Sequence, residues 1–314
     1  MASSPIALLV IRALAAALAA SLCALAHGTA FVVTDDAGRA LAFDRPASRV
    51  VTLAPSLTEL VFAAGGGSAI VATDSSSDYP QAARALQRVG DAARLDVERI
   101  VALKPDLVVV WRHGNTPREL DQLEAAGVRL FRLEPQRLDD VVLAIERLGV
   151  VLGKEAIAGP AARSLRDALA ELRRRHAADA PVRVFYQVWS NPLMTINRKQ
   201  IVNEVIELCG GRNVFAGLAP LVPQVATESV LAADPEAILT ADERGGRGLV
   251  RRDADAASFA IWRGYPRLAA VRGRWLYVLN GDAISRQGPR IGSGATAVCA
   301  ALDEVRRERG TAPR

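Results

Sequence analysis

The chain has 314 residues, of which half are hydrophobic and 23% are charged, and its formal net charge is +5. This composition is typical of one large or two medium globular domains and excludes extensive disorder, and the charge is too small and too dispersed to indicate a nucleic-acid-binding surface. Aromatic residues make up only 5% of the chain, so the core must be built mainly from Ala, Leu and Val.

Residues 1–26 have the pattern of a secretory signal peptide. Arg12 precedes a short apolar run, and Ala24-Leu25-Ala26 supplies the small residues that a signal peptidase needs. The run is short for a membrane span and has no charged flank that would stop its transfer. We expect cleavage near Ala26 and export to the periplasm. Lipid attachment at Cys23 is the alternative, against which Leu22 stands where a small residue is expected.

Strands and helices alternate along the first half of the mature chain. A hairpin over residues 31–43 is followed by a strand at 49–53 and a helix at 57–64, where Ser56 and Glu59 fit a capping box. Further strands are predicted at 69–73, 107–110 and 128–133, and further helices at 97–103, 116–126 and 139–152. This alternation predicts a parallel sheet with helices on both of its faces.

The stretch Val97–Asn115 contains a predicted helix, a strand and a candidate ligand edge. The helix ends at Lys104-Pro105, because a proline disfavours helical dihedrals in the residue before it. The unbroken apolar run 107–110 is typical of a strand that is buried on both faces. Trp111 and Arg112 follow at its carboxyl end, where open α/β sheets usually bind ligands.

The alternation is interrupted by helix-forming sequence from Lys154 to Ala177. Leu165, Leu169 and Leu172 share one face of this helix, and Gly159-Pro160 marks a point where it can kink or restart. We therefore predict an α/β fold in which two doubly wound lobes are joined by one long helix. The predicted segments are a signal peptide (1–26), an N-terminal lobe (27–152), a connecting helix (153–180) and a C-terminal lobe (181–314).

The second half repeats the alternation. The predicted elements are strands at 182–188, 237–240 and 275–279, helices at 201–208 and 227–232, and a C-terminal helix that starts at Pro289 or Arg290. Thr227 is the expected N-cap of its helix. Residues 189–194 and 280–287 are predicted loops, each at the carboxyl end of a strand.

Removal of the signal peptide leaves two of the three cysteines, Cys209 and Cys299. In an oxidising compartment an even number of cysteines favours a disulfide. The bridge would close a loop of about 90 residues and contribute about 4–5 kcal/mol through loop entropy. Two free buried thiols are the alternative. Loss of the single charge of Arg12 lowers the formal net charge from +5 to +4.

The sequence carries no common catalytic or nucleotide-binding motif. It has no Walker A loop, no G-x-G-x-x-G turn and no G-x-S-x-G elbow. Its three histidines, His27, His113 and His176, fall on separate segments. We therefore predict no metal site and no resident cofactor. Only His113 lies near a plausible ligand edge.

Four loops at the carboxyl ends of strands carry aromatic, small and cationic side chains. They are Ser76–Tyr79, Trp111-Arg112, Trp189–Met194 and Asp282–Arg286. Together they suit a large, flat ligand with apolar faces and polar edges. Each loop also has a plainer explanation, since Tyr79-Pro80 is an ordinary turn and Trp189 can simply cover a sheet end.

Two acids, Glu98 and Glu228, each fall in the first turn of a predicted helix. A carboxylate in that position complements the helix dipole and contributes about 0.3–1 kcal/mol. On spacing alone, this stabilisation is sufficient to explain both residues.

Four segments resemble a known family. They are ERIVALKPDLVVVWRHGN (98–115), SDYP (77–80), ELCGGRNVF (207–215) and GPRIGSG (288–294). Over about residues 49–302 the chain is similar to the exported solute receptors of ABC importers whose two lobes are joined by a single rigid helix. That class serves vitamin B12, haem and ferric siderophores, and the WR-x-GN extension favours the vitamin B12 branch.

The resemblance implies roles for particular residues. Glu98 and Glu228 fall where the family places one acid on each lobe to engage arginines of the permease, which now outranks the helix-dipole explanation. Cys209 and Cys299 fall where the vitamin B12 branch has a disulfide. Residues 282–286 match a corrinoid-contacting loop. The predicted ligand-binding residues are Ser76, Tyr79, Trp111, Arg112, Trp189, Met194, Asp282, Ala283, Ile284, Ser285 and Arg286.

The resemblance also implies a function without catalysis. We expect a monomeric receptor that captures cobalamin or a related corrinoid, closes only slightly, and delivers the ligand to an ABC permease and its ATPase. Four residues, Ser76, Ala92, Val222 and Ala283, stand where larger aromatic groups would be expected.

Because of these replacements, haem or a ferric siderophore is the alternative ligand. Haem would need an axial Tyr79 or His113, and an anionic siderophore would use Arg112 and Arg286. An extracytoplasmic α/β enzyme is a further hypothesis of a different class.

Overall fold

The computed structural model describes residues 30–242 and 248–309. The predicted signal peptide and its cleavage site lie outside these residues. The described chain begins with an antiparallel hairpin of β1 (Phe31–Thr34) and β2 (Ala40–Phe43). Its turn contains Gly38, whose φ of 76° is in the left-handed region that glycine adopts without strain.

The first sheet has five parallel strands in the order β5-β4-β3-β6-β7. These are β3 (Val50–Thr52), β4 (Ile70–Thr73), β5 (Gln87–Arg88), β6 (Leu107–Trp111) and β7 (Leu130–Leu133). Leu107, Val108, Val109 and Val110 are all 0% exposed, which confirms a strand buried on both faces.

Four helices accompany this sheet: α1 (Pro55–Ala63), α2 (Val97–Ala102), α3 (Pro117–Ala125) and α4 (Leu138–Leu152). The predicted capping box of α1 is wrong. The helix begins at Pro55, whose ring fixes φ near the helical value, and its N-cap Ala54 has no side-chain hydrogen bond. Ser56 therefore lies inside the helix, and Glu59 is available for other contacts.

Helix α5 (Glu155–His176) is 22 residues long and runs through Pro160 without interruption. The helix therefore does not restart at Gly159-Pro160. It lies close against α4, because a Cβ added to Gly149 would be 2.3 Å from the Cβ of Ala158. One continuous apolar cluster extends from the first sheet through α4 and α5 into the second half of the chain.

The second sheet has the order β11-β8-β12-β14-β13, with β13 antiparallel to β14. Its strands are β8 (Val182–Gln187), β11 (Gly211–Asn213), β12 (Ala237–Asp242), β13 (Val250–Arg252) and β14 (Leu276–Asn280). The predicted loop at residues 189–194 is instead a small hairpin of β9 (Trp189–Ser190) and β10 (Leu193–Met194).

The helices of this half are α6 (Ile201–Leu208), α7 (Thr227–Ala233), α8 (Ala269–Arg272), α9 (Gly281–Ile284) and α10 (Ile291–Arg309). Short 3-10 helices lie at Gly67–Ala69, Gln81–Ala85 and Ala257–Gly264. Thr227 is the first residue of α7 and not its cap, since Ala226 occupies the N-cap. The predicted loop 280–287 contains α9, which Asn280 caps by accepting a 3.0 Å hydrogen bond from the Ala283 amide.

A disulfide joins Cys209, at the end of α6, to Cys299 in α10, with an S–S distance of 2.06 Å. The alternative of two free thiols is therefore wrong. Within the described ranges, we find no helix with the length and apolar character that a membrane span requires. The predicted fold class, two α/β lobes joined by one long helix, is confirmed.

Candidate functional site

A cavity of about 390 Å³ lies beside α9 at the carboxyl end of β8. This volume is within the range of small-molecule sites. Its wall combines the apolar side chains of Val188, Ile196 and Val222 with the polar or charged side chains of Gln200, Asp282, Ser285 and Arg286. The cavity therefore offers both an apolar surface and a few fixed polar groups.

Helix α9 sets which residues of the predicted loop 282–286 reach the cavity. Positions i, i+3 and i+4 share one face of a helix, and Asp282, Ser285 and Arg286 line the cavity. Ala283 and Ile284 are only 2% and 1% exposed. Their side chains are buried in the C-terminal lobe, so their burial does not support direct ligand contact.

Tyr186 lies in β8 on the wall of the same cavity. Its burial raises the pKa of the phenol to about 12, which a hydrogen bond with Ser285 only partly offsets. The phenol therefore stays protonated at neutral pH. Its hydrogen bond with Ser285, the residue that follows α9, joins β8 to the end of this helix at the cavity wall.

Five charged side chains meet between the two lobes next to this cavity, and we call them the interlobe charge cluster. They are Glu59 and Asp78 from the N-terminal lobe, and Asp282, Arg286 and Arg290 from the C-terminal lobe. The Glu59 side chain is only 1% exposed. The cluster ties α1 of one lobe to the segment between α9 and α10 of the other.

Glu59 is held by both arginines. Arg290 donates two hydrogen bonds to it, Nε to Oε2 at 2.9 Å and Nη2 to Oε1 at 2.6 Å. Arg286 donates from Nη1 to Oε1 at 3.2 Å. Fork-to-carboxylate pairs of this kind are among the stronger hydrogen bonds of proteins.

Arg286 is shared among three carboxylates. Besides Glu59, its Nη1 lies 3.0 Å from Asp78 Oδ1 and its Nη2 lies 3.0 Å from Asp282 Oδ1. Burial alone would raise the pKa of Asp78, but the hydrogen bond and charge of Arg286 outweigh it and lower that pKa. Asp78 is therefore ionised at neutral pH.

A network of buried hydroxyl groups positions the segment that carries Asp78. Thr58 Oγ1 lies 2.7 Å from Thr73 Oγ1 and 2.7 Å from Ser77 Oγ. Arg88 donates to the carbonyl oxygens of Asp74 and Ser77 at 2.9 and 2.8 Å. These contacts fix residues 74–78 against the first sheet, so that Asp78 faces Arg286.

Two predicted ligand residues, Ser76 and Tyr79, lie on this segment. Ser76 is exposed, and its amide donates to Asp74 Oδ2 at 2.9 Å. Tyr79 is 46% exposed, with the guanidinium carbon of Arg290 at 4.3 Å from its ring centroid. Both residues therefore lie close to the interlobe charge cluster, on its N-terminal side.

The other predicted ligand residues are divided between two places. Trp111 packs tightly under Gly114, and Arg112 donates from Nη1 to the carbonyl oxygen of Asp36 at 2.9 Å. Neither is among the residues that line the cavity. Trp189, which is 51% exposed, pairs with Met194 in the hairpin that follows Val188, so this pair lies next to the cavity wall.

The two predicted docking acids are exposed residues in the first turns of α2 and α7. In the parts of the chain that the structure describes, neither Glu98 nor Glu228 has an ion pair within 4.0 Å. Glu98 lies on the rim of a depression with Arg94 and Arg99. Within these ranges each carboxylate is exposed to solvent, in a position that complements its helix dipole.

One group of metal-ligand types exists in the described ranges, His176, Asp179 and Asp303. His176 Nδ1 is 2.8 Å from Asp179 Oδ2, and Arg306 Nη1 lies 3.1 Å from that carboxylate and 2.9 Å from Asp303. Both acids are thus already paired, each with Arg306 and with His176. We therefore assign the group to structural ion pairing between α5 and α10.

Sequence reasoning missed Glu59, Asp78 and Arg290. Glu59 was assigned to a capping box. Its place one turn into the helix that follows β3 was a signal that this acid lies at the carboxyl edge of the sheet. Asp78 and Arg290 lie inside the recognised SDYP and GPRIGSG segments. Only a structure shows that these segments meet.

Comparison with known proteins agrees with this architecture. The sequence profile of the family described as periplasmic binding protein matches residues 50–283. The vitamin B12-binding protein of Vibrio cholerae is 35% identical over 258 residues, which are 82% of this chain and 90% of that protein. The vitamin B12-binding protein of Yersinia pestis is 36% identical over 259 residues, 82% of this chain and 88% of that one.

Solved structures give the same result. The periplasmic vitamin B12-binding protein of Vibrio cholerae has a TM-score of 0.73 at 35% identity, covering 83% of this chain and 98% of that one. The periplasmic haem-binding protein RhuT from Roseiflexus sp. has a TM-score of 0.69 at 27% identity, covering 82% and 98%. The chain belongs to the periplasmic binding protein family.

Proposed function

We propose that this protein captures cobalamin or a related corrinoid between its two lobes and delivers it to the permease of an ABC importer. The observation that carries the proposal is the identity of 35–36% to proteins named vitamin B12-binding protein, over 82% of the chain. A cavity with apolar walls and the polar groups Gln200, Asp282, Ser285 and Arg286 supports it.

The chemistry of the cavity is suited to the periphery of a corrin ring. A corrinoid carries neutral amide side chains, which donate and accept hydrogen bonds, around a large apolar face. Asp282 offers acceptor oxygens, and Gln200 offers both donors and an acceptor. Val188, Ile196 and Val222 offer apolar contact area. Binding needs burial and hydrogen bonding only, with no chemical step.

Haem is the second candidate, because a haem-binding protein is 27% identical and has the same fold. A haem would need an axial ligand, and Tyr79 and His113 are the candidates. The ring of Tyr79 is covered on one side by Arg290, and His113 Nδ1 is hydrogen-bonded to Glu134. Neither residue is among those that line the cavity, and this favours the corrinoid over haem. The hypothesis of an extracytoplasmic enzyme is not supported, since the family consists of binding proteins.

The test is a titration of the purified mature protein, residues 27–314, with cyanocobalamin, cobinamide, haemin and a ferric siderophore in parallel. Calorimetry and absorption spectra should show submicromolar binding of a corrinoid, with the ligand recovered unchanged. Absence of affinity for every corrinoid would overturn the proposal. Tighter binding of haemin with a new axial-ligand spectrum would establish the second candidate.

Delivery requires a membrane partner, and we propose Glu98 and Glu228 as the docking residues. Both are exposed and lie on different lobes, as expected if each lobe contacts its own part of the permease. Export through the predicted signal peptide 1–26 and action as a monomer complete the proposal. A pull-down with the permease and ATPase subunits tests the partnership directly.

A further inference from the structure

The interlobe charge cluster has an unequal number of opposite charges. Among the described residues, three carboxylates (Glu59, Asp78 and Asp282) surround two guanidinium groups (Arg286 and Arg290). One negative charge is therefore in excess at the edge of the ligand cavity. Arginines in a ligand site usually attract anions, but these two are already neutralised by the protein itself.

The donors of Arg286 are engaged in three directions. Its guanidinium contacts Glu59, Asp78 and Asp282 at 3.2, 3.0 and 3.0 Å, although Arg286 is part of the cavity wall. An anionic ligand that approaches the remaining N–H groups of this arginine meets the repulsion of three carboxylates around the same guanidinium. If it displaces one of them, that carboxylate faces the ligand without its partner, which is unfavourable in a partly desolvated site.

Arg290 is even less available. Glu59 takes two of its N–H donors at 2.9 and 2.6 Å, Tyr79 covers its face, and its side chain is 19% exposed. An amide-rich ligand meets no such obstacle, because amide N–H groups can donate to the remaining lone pairs of Asp78 and Asp282 without displacing either arginine.

We propose that Asp78 and Asp282 are specificity determinants that exclude anionic metal chelates, with Glu59 as the positioning residue that holds both arginines in place. The excluded class comprises haem, through its two propionates, and ferric siderophores of negative charge. Neutral or cationic corrinoids are admitted. The inference rests on the proposed function. It explains how proteins of one fold can differ in whether they bind a corrinoid or an anionic metal chelate.

Asp78→Asn is the informative variant. Asp78 is half-exposed and was not among the predicted ligand-binding residues, so its replacement by an isosteric amide should not prevent folding. The change removes the excess negative charge and leaves Arg286 with one neutral acceptor. Asp167→Asn on the exposed side of α5 is the matched control, because it makes the same change in net charge far from the cleft.

The experiment compares haemin with its dimethyl ester, which has the same ring without the carboxylate charges. For Asp78→Asn we expect haemin binding about tenfold tighter than for the wild type, with a gain that shrinks at high salt. Binding of the dimethyl ester should not change, and Asp167→Asn should behave as wild type. Circular dichroism and thermal unfolding establish that each variant is folded.

Three outcomes would overturn the inference. These are no gain in haemin affinity for Asp78→Asn, an equal gain for the dimethyl ester, or an equal gain for Asp167→Asn. A cluster that merely braces the lobes would change haemin and ester binding alike. Failure of cobalamin binding in the wild type would reject the proposed function, whereas the ratio of haemin to ester affinity still tests the charge discrimination.

Discussion

The N-terminal lobe has an all-parallel five-stranded sheet and one purely aliphatic core cluster, whereas the C-terminal lobe has a mixed sheet, a core cluster rich in aromatic residues and a disulfide. One core cluster of the first lobe contains Val51, Leu53 and Val108. Its counterpart in the second contains Phe185, Phe259 and Trp262. The C-terminal lobe also supplies the cavity wall. It is therefore the half that carries both the disulfide and the wall of the candidate ligand cavity.

The lobes also differ in the charges that they bring to the cleft. The first lobe contributes only carboxylates to the interlobe charge cluster, and the second contributes both arginines. Two structurally similar halves thus recognise each other through opposite charge. Two lobes of similar fold can therefore contribute side chains of different charge to the site between them.

The largest expected effect is loss of the disulfide. Replacement of Cys209 and Cys299 by Ala should lower the free energy of unfolding by about 4–5 kcal/mol, because the unfolded chain regains the freedom of a loop of about 90 residues. Urea unfolding, followed by circular dichroism, measures this loss. Reduction of the wild type should give the same value. A loss below about 1 kcal/mol would mean that the C-terminal lobe does not depend on its bridge.

The next effect concerns the aromatic core. Trp262 is 0% exposed, packs edge-on against Phe185, and donates from Nε1 to Gln187 Oε1 at 2.7 Å. Trp262→Ala should cost about 3–5 kcal/mol. Phe131→Ala in the first lobe is the control, as Phe131 is equally buried. We expect Trp262→Ala to cost more, because it also leaves Gln187 without its donor. Equal losses in urea unfolding would contradict this.

A smaller effect is expected from pH. The pKa of Asp78 is lowered in the folded protein, so its ion pair stabilises the folded state above the ordinary pKa near 3.8. The contribution is lost as the pH falls through the lowered pKa. Since Asp78 is half-exposed, we expect less than about 1 kcal/mol. The difference in unfolding free energy between wild type and Asp78→Asn should therefore shrink between pH 7 and pH 2. A constant difference would argue against the ion pair.

The smallest effect on stability is expected at the docking acids. Glu98→Lys and Glu228→Lys should each change the unfolding free energy by no more than about 1 kcal/mol, through the helix dipole. Both should weaken binding to the permease and leave ligand affinity unchanged. Binding of each variant to vesicles that contain the permease measures the loss of docking. Glu171→Lys, at an exposed position on α5, is the control. Loss of ligand affinity in either variant would show that the assignment is wrong.

Much of the fold could be predicted from the sequence, because strand burial and helix amphipathicity are local patterns. The apolar run 107–110 and the helix at 201–208 lie where they were expected. The caps at Ser56 and Thr227 were wrong because each motif was compatible with two helix starts, and Pro55 decided one of them.

The site was less predictable, because it depends on segments that meet across the lobes. Nothing near Glu59 in the sequence indicates that Arg290, 231 positions away, is its partner. Arg112 was predicted as a ligand residue, and the structure shows that its Nη1 donates to the carbonyl oxygen of Asp36 in the first hairpin. Polar, charged and aromatic residues at strand ends can thus be found in the sequence as candidates for a site. Which of these candidates lie together depends on contacts between segments that are distant in the sequence.

The apolar cluster that runs from one lobe through α5 into the other has a kinetic consequence. Because the lobes share one core, a wide hinge motion would expose packed side chains, and we expect ligand to enter a cleft that is already formed. Capture should then proceed in one bimolecular step, with a rate proportional to ligand concentration and no preceding isomerisation.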